Sequence, residues 1–256
     1  MMKYSIFKMK EILVLIPLLF LMISCSEDRT DEPEKEDTIE IPFRPQNVLF
    51  IENSHTRFNQ GVDFYLKGFL DNLNLSYEPL IERSAFDGYT LDEHLENNST
   101  TSILESKKWD IVVLQENTFK AANDKLGAKV AMESFKFAIT NNDTQLYLFL
   151  TWAYEDEPEM LSKIIETYEE TGVLLKAKVV PVGVAFRDFK NANGETINLY
   201  NPDGVHPSIA GSFLAASMFY YAIYNEDPTK NNYTASLEEA TADLLKQMAK
   251  EAIDAH

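Results

Sequence analysis

From residue 47 onward, short apolar runs and amphipathic stretches take turns, and that alternation limits the fold more than any other feature of the chain. The runs fall at residues 47–51, 76–81, 110–114, 145–150 and 178–184. Short, uninterrupted apolar segments rich in β-branched and aromatic residues are what strands buried on both faces look like. Between them the apolar spacing predicts helices over residues 59–73, 90–104, 124–141 and 157–171, with two more at 208–224 and 236–255. Strands alternating with helices of this length imply βαβ units. The expected fold is therefore α/β, a three-layer, doubly wound parallel sheet of about five strands. In such sheets ligands gather beyond the carboxyl ends of the strands. Glu52-Asn53-Ser54-His55 ends the first strand there, so Ser54 sits where a nucleophile can sit, although Ser and Asn also collect at such turns for capping alone.

The first 43 residues have a different character. Lys3, Lys8 and Lys10 precede an uncharged apolar core at residues 12–23, too short to span a bilayer and suited to the core of an export signal over residues 1–24. Leu21-Met22-Ile23-Ser24-Cys25 resembles a bacterial lipobox, in which the cysteine is lipidated and becomes the mature N-terminus. That resemblance implies a protein of the bacterial cell envelope, membrane-anchored through a lipid on Cys25. Residues 25–43 then read as an acidic tether: eight acids stand against Arg29 and Lys35, too polar to bury a core. An acidic run directly after such a cysteine also resembles the surface-export signal of some Gram-negative lipoproteins, which implies the outer membrane. Residues 44–256 remain for one folded domain.

Composition removes several functions. A net charge of −18 speaks against a nucleic-acid partner. Cys25 is the sole cysteine, so the folded part has no disulfide, cysteine zinc site or cysteine nucleophile. Four histidines (His55, His94, His206, His256) speak against a histidine metal cluster, and no glycine-rich phosphate loop appears. No metal and no cofactor are expected.

Tyr200-Asn201-Pro202-Asp203-Gly204-Val205-His206-Pro207 is the second stretch suited to chemistry. On a Pro- and Gly-rich turn, Asp203 can curl back to one imidazole nitrogen of His206, fixing the tautomer and leaving the other nitrogen as a base. A plain turn that caps the following helix is the competing reading. Taken with Ser54 in the same chain order, these residues resemble the SGNH (GDSL-type) hydrolase family, over about residues 47–224. The resemblance implies a flavodoxin-like sheet and a serine esterase, with Ser54 as nucleophile, His206 as base and Asp203 as its partner. It also implies an oxyanion hole built from the Ser54 N–H, a glycine after the second strand, here Gly88, and a side-chain amide after the third. Gln115 is the first choice for that amide and Asn117 the second. Two positions depart from the family pattern: Glu52 replaces the glycine of the first block, and Gln115-Glu116-Asn117 replaces Gly-x-Asn-Asp. Asn-Ser in block one and Leu-Gln-Glu in block three resemble a divergent branch.

Other residues carry open alternatives. His55 can line the pocket or cap the turn; His94, sharing a helix face with Leu91 and Leu95, reads as a satisfied buried histidine. Trp152 and Tyr154 can stack on a sugar ring or pack structurally, and Arg187 can meet an anion or pair with an acid. Phe213, Phe219 and Tyr220 lie at helical spacing and read as core. The expected substrate is an O-acylated carbohydrate, with acetyl removal from glycans the leading choice. A non-catalytic carbohydrate-binding lipoprotein, favoured by Glu52, and a lipase or thioesterase on the same fold are the alternatives.

Overall fold

The computed structural model describes residues 44–73, 75–194 and 196–256. The expected export signal, Cys25 and the expected acidic tether lie outside the described residues. Five parallel strands form one sheet in the order β2-β1-β3-β4-β5. They are β1 (Asn47–Asn53), β2 (Leu80–Phe86), β3 (Ile111–Leu114), β4 (Gln145–Phe149) and β5 (Lys178–Val180). The helices are α1 (Ser54–Arg57), α2 (Val62–Leu70), α3 (Leu91–Glu96), α4 (Asn98–Glu105), α5 (Thr118–Asn123), α6 (Lys125–Ala138), α7 (Met160–Leu175), α8 (Val182–Asn193), α9 (Ile209–Tyr224) and α10 (Glu239–Asp254).

Strand β1 shows why three layers form. Its alternate side chains point to opposite faces. Val48 and Phe50 join a core with Leu66 and Phe69 of α2, Phe186 of α8, Phe213 and Phe219 of α9, and Leu245 of α10. Leu49 and Ile51 join a second core with Leu91 of α3, Met132 and Phe135 of α6, and Ile164 and Tyr168 of α7. Phe213, Phe219 and Tyr220 are buried in the first core, as their spacing predicts.

Several boundaries move, each for a local reason. The second strand is expected at 76–81 and runs over Leu80–Phe86 instead. Pro79 precedes it, and its Glu82 and Arg83 are charges that an edge strand tolerates. The fifth strand stops at Val180, and Val182 opens the unpredicted helix α8, because Pro181 divides one apolar run. The helix expected over 90–104 is broken at Asn97, whose side chain accepts from the Ser99 and Thr100 N–H groups and caps α4. The helix expected from 59 begins at Val62, because Asn59 and Gln60 adopt φ of 52° and 76°.

Candidate active site

Strand β1 delivers Ser54 to the carboxyl edge of the sheet. Asn53 ends the strand and caps α1, its Oδ1 accepting from the His55 N–H at 3.0 Å, so Ser54 becomes the first residue of that helix. The Asn53 amide also donates to the Tyr89 carbonyl at 2.8 Å, tying the Ser54 turn to the loop after β2.

The histidine arrives from the turn before α9. Asp203 Oδ1 accepts the N–H groups of Val205 and His206, both at 2.9 Å, which folds the turn. Gly204 takes φ of 68°, the left-handed conformation that glycine adopts without steric cost. Trp152 Nε1 donates to the Val205 carbonyl at 3.0 Å, and Asn59 Nδ2 donates to the Pro207 carbonyl at 2.7 Å. These bonds fix the turn against both sides of the sheet edge. His206 stacks on Phe58, ring centroids 4.6 Å apart.

The result is a continuous chain of contacts. His206 Nδ1 lies 2.7 Å from Asp203 Oδ2, and His206 Nε2 lies 3.1 Å from Ser54 Oγ. With the proton on Nδ1 donated to the carboxylate, Nε2 is left to accept from the serine hydroxyl. Partial burial pushes the Asp203 carboxyl up, but the two N–H donors and the His206 ring outweigh it and hold the group well below the ordinary carboxylate range. An anion beside Nδ1 is what an imidazole needs to take a proton at Nε2.

The loop after β2 faces this chain. Gly88 has φ of 75° with open space on its Cβ side. Among the described residues neither the Ser54 N–H nor the Gly88 N–H has a backbone acceptor. Asn117 Nδ2 donates to the Gly88 carbonyl at 3.0 Å, while its Oδ1 caps α5 by accepting from the Lys120 N–H. Asn117 therefore lies at the loop with one amide hydrogen still to spend.

Gln115 does not. It is buried, its Oε1 accepts the Asn53 N–H at 2.8 Å and its Nε2 donates to the Glu116 carbonyl at 2.6 Å. The first-choice oxyanion amide is thus committed to holding the main chain just before Ser54. Glu116 likewise turns inward and accepts the N–H groups of Leu91 and Asn117. Glu52 also points into the protein: 1% exposed, it accepts from Thr56 Oγ1 at 2.5 Å, and its other oxygen has no partner. Burial first, then nearby Asp63, push its pKa up to about 8.

His94 is fully buried and satisfied as expected, between Thr100 Oγ1 and the Glu52 carbonyl. His55 is buried and stacks on Trp152 at 4.6 Å, and burial followed by His206 pushes its pKa down to about 3. Trp152 is fully buried between His55 and Phe186, so it packs structurally and offers no face to a sugar. Tyr154 remains half-exposed, and Arg187 pairs with Asp188 at the surface. Sequence reasoning placed Asn53 only as a cap at the turn and missed its tie to Tyr89, and it missed Phe58 and Asn59 altogether. Their only sequence signals are the Asn-Ser pair at a strand end and the Asn-Gln-Gly turn.

No protein-family model matches the sequence, and no curated protein matches it. Solved structures do match the fold. A candidate SGNH hydrolase from Slackia heliotrinireducens superposes with a TM-score of 0.59 at 24% identity, covering 71% of this chain and 99% of that one. A DUF4886 family protein from Bacteroides uniformis gives 0.62 at 17%, covering 81% and 94%. An acetyl xylan esterase from Geobacillus stearothermophilus gives 0.57 at 16%, covering 70% and 94%. The five-stranded parallel sheet flanked by helices is the SGNH hydrolase fold.

Proposed function

We propose that this protein is a serine esterase of the SGNH type that removes acyl groups, acetyl first among them, from carbohydrates at the bacterial cell envelope. The observation that carries the reading is the unbroken contact series from Ser54 Oγ through His206 to Asp203. In the reaction His206 Nε2 takes the hydroxyl proton as Ser54 Oγ attacks the ester carbonyl. The imidazolium then protonates the departing alcohol, and water, deprotonated by the same nitrogen, hydrolyses the acyl-enzyme. The N–H groups of Ser54 and Gly88 stabilise the tetrahedral oxyanion, with Asn117 in place of Gln115 as the side-chain donor. Acetyl as the acyl group is supported by the fold match to an acetyl xylan esterase. Envelope location is supported by the lipobox-like Leu21–Cys25 sequence.

The carbohydrate-binding alternative drew on Glu52 as a carboxylate opposing an oxyanion. With that carboxyl turned inward to Thr56, the objection to catalysis loses its basis. The test is release of acetate and p-nitrophenol from simple acetyl esters by the wild type and by Ser54→Ala, with a fluorophosphonate probe for Ser54. Turnover and labelling that vanish in the mutant are expected; wild type as inert as Ser54→Ala would end the esterase reading. Cys25→Ala should release the protein from membranes, and continued tight association would refute the lipid anchor.

A further inference from the structure

A cavity of about 500 Å3 opens beside Ser54 and His206, and its walls include two guanidinium groups, Arg57 and Arg83. The chain carries a net charge of −18, a field that repels anions. Two guanidinium groups beside Ser54 are a local concentration of cations in an acidic chain, and the Asp87 carboxylate lines the same cavity.

The two arginines are held differently. Arg83 pairs with Asp63, whose side chain is 8% exposed, and also donates to the Gln60 carbonyl. It compensates a buried acid and is fixed in place. Arg57 has Asp87 as its ion-pair partner among the described residues, and the Asp87 side chain is 70% exposed. An exposed pair of that kind exchanges at little cost. Arg57 Nε, moreover, is buried with no acceptor. Arg57 stands three residues after Ser54 on α1, which sets their Cβ atoms about 5–6 Å apart on one helix face. A planar fork of donors with unspent capacity, one helical turn from the nucleophile, suits a carboxylate.

We infer that Arg57, backed by Arg83, binds a carboxylate carried by the substrate, so that esters on acidic sugars are preferred over esters on neutral ones. This inference rests on the esterase reading and narrows its substrate class. Asp87 occupies the guanidinium until the substrate carboxylate displaces it. A different role would be to staple the Gly88 loop to α1 through the same pair, and that role has a different signature. Losing a staple slows every ester equally, whereas losing an anion site slows acidic esters selectively.

The experiment compares kcat/KM for two methyl glycosides acetylated at the same hydroxyl, one of glucuronate and one of glucose. The wild type should prefer the glucuronate by about tenfold or more, the worth of one hydrogen bond to a charged group. Arg57→Met should bring that ratio towards one, and Asp87→Asn should raise it. A wild-type ratio at or below one, or an equal loss on both esters in Arg57→Met, overturns the inference. Calorimetric binding of the unacetylated glycosides to Ser54→Ala keeps the two readings apart. Glucuronate preference without any wild-type hydrolysis would overturn the esterase alone; equal binding of both sugars would overturn the anion site.

Discussion

Replacing Glu52 with glutamine should make the stability of the protein much less dependent on pH above pH 5. Glu52 is 1% exposed, and burial lifts its pKa from the ordinary 4.5 to about 8. A carboxyl raised in the folded state stabilises fully below the unfolded value, and that contribution is lost as pH rises through the folded value. From pH 5 to about pH 7 the unfolded chain has released this proton and the native state still holds it, and by pH 8 the native group is half-titrated. At about 1.4 kcal/mol per pH unit, the native state gives up about 3 kcal/mol over that window. In a domain of this size that corresponds to a fall in Tm of about 6–12 °C. Glutamine keeps the shape and an oxygen for Thr56 but has no proton to release, so the Glu52→Gln protein should lack this fall. Thermal melts of both proteins at half-unit steps from pH 5 to pH 8 give the difference directly. Two buried histidines, His55 and His94, have pKa values lowered by burial and contribute in the opposite sense, but both persist in the variant and cancel in the difference. Parallel Tm curves for the two proteins would refute the assignment of a buried, protonated Glu52.

Three further outcomes follow from the site. Asp203→Asn should fold normally and lose about 10³–10⁴-fold in kcat, because the amide cannot hold the imidazolium that forms; unchanged ester turnover would remove Asp203 from the mechanism. Asn53→Ala should cost about 1 kcal/mol through the lost cap, read by urea denaturation, and should lower kcat as well, because the tie to Tyr89 goes with it. His55→Phe keeps a ring against Trp152 and should protect the protein in acid. The His55 pKa is pushed down to about 3, so its stabilising contribution is lost as pH falls from about 6.5 towards 3, by about 3 kcal/mol at pH 4. Equal acid sensitivity in the two proteins would contradict that account.

What could be read from the sequence follows from where information is stored. Strands β1, β3 and β4 are central and buried on both faces, so their composition alone reveals them. Strand β2 is an edge, and its Glu82-Arg83 pair hides it from any reading based on apolar runs. The Asp203–His206 contact is encoded within three residues and could be inferred locally. Ser54 and His206 are separated by 152 positions, and only their chain order and strand-end placement suggested that they meet. The orientation of Gln115 had no local signal. It depends on which orphan backbone donor a buried amide finds, and the sequence does not say that the Asn53 N–H is the nearer need.

That last point explains how the departures at Glu52 and Gln115 fit together. β1 ends one residue before Ser54, beyond the last register pair with β3, so the Asn53 N–H has no ladder partner on that side. A buried N–H left unpaired costs about 1–3 kcal/mol, and Gln115 Oε1 supplies the acceptor. The same oxygen lies 3.4 Å from Thr56 Oγ1, whose hydrogen goes to Glu52 at 2.5 Å. Glu52 in turn presents its carbonyl to His94 Nε2 at 2.9 Å. The side chains of Gln115, Thr56 and His94 therefore lock the chain on both sides of Asn53, and Ser54 inherits its position from them. A glycine at 52 would keep the carbonyl bond to His94 but lose the acceptor for Thr56. The unusual polar residues at these two positions are thus one arrangement, a buried support for Ser54, while Gly88 and Asn117 lie together on the loop side.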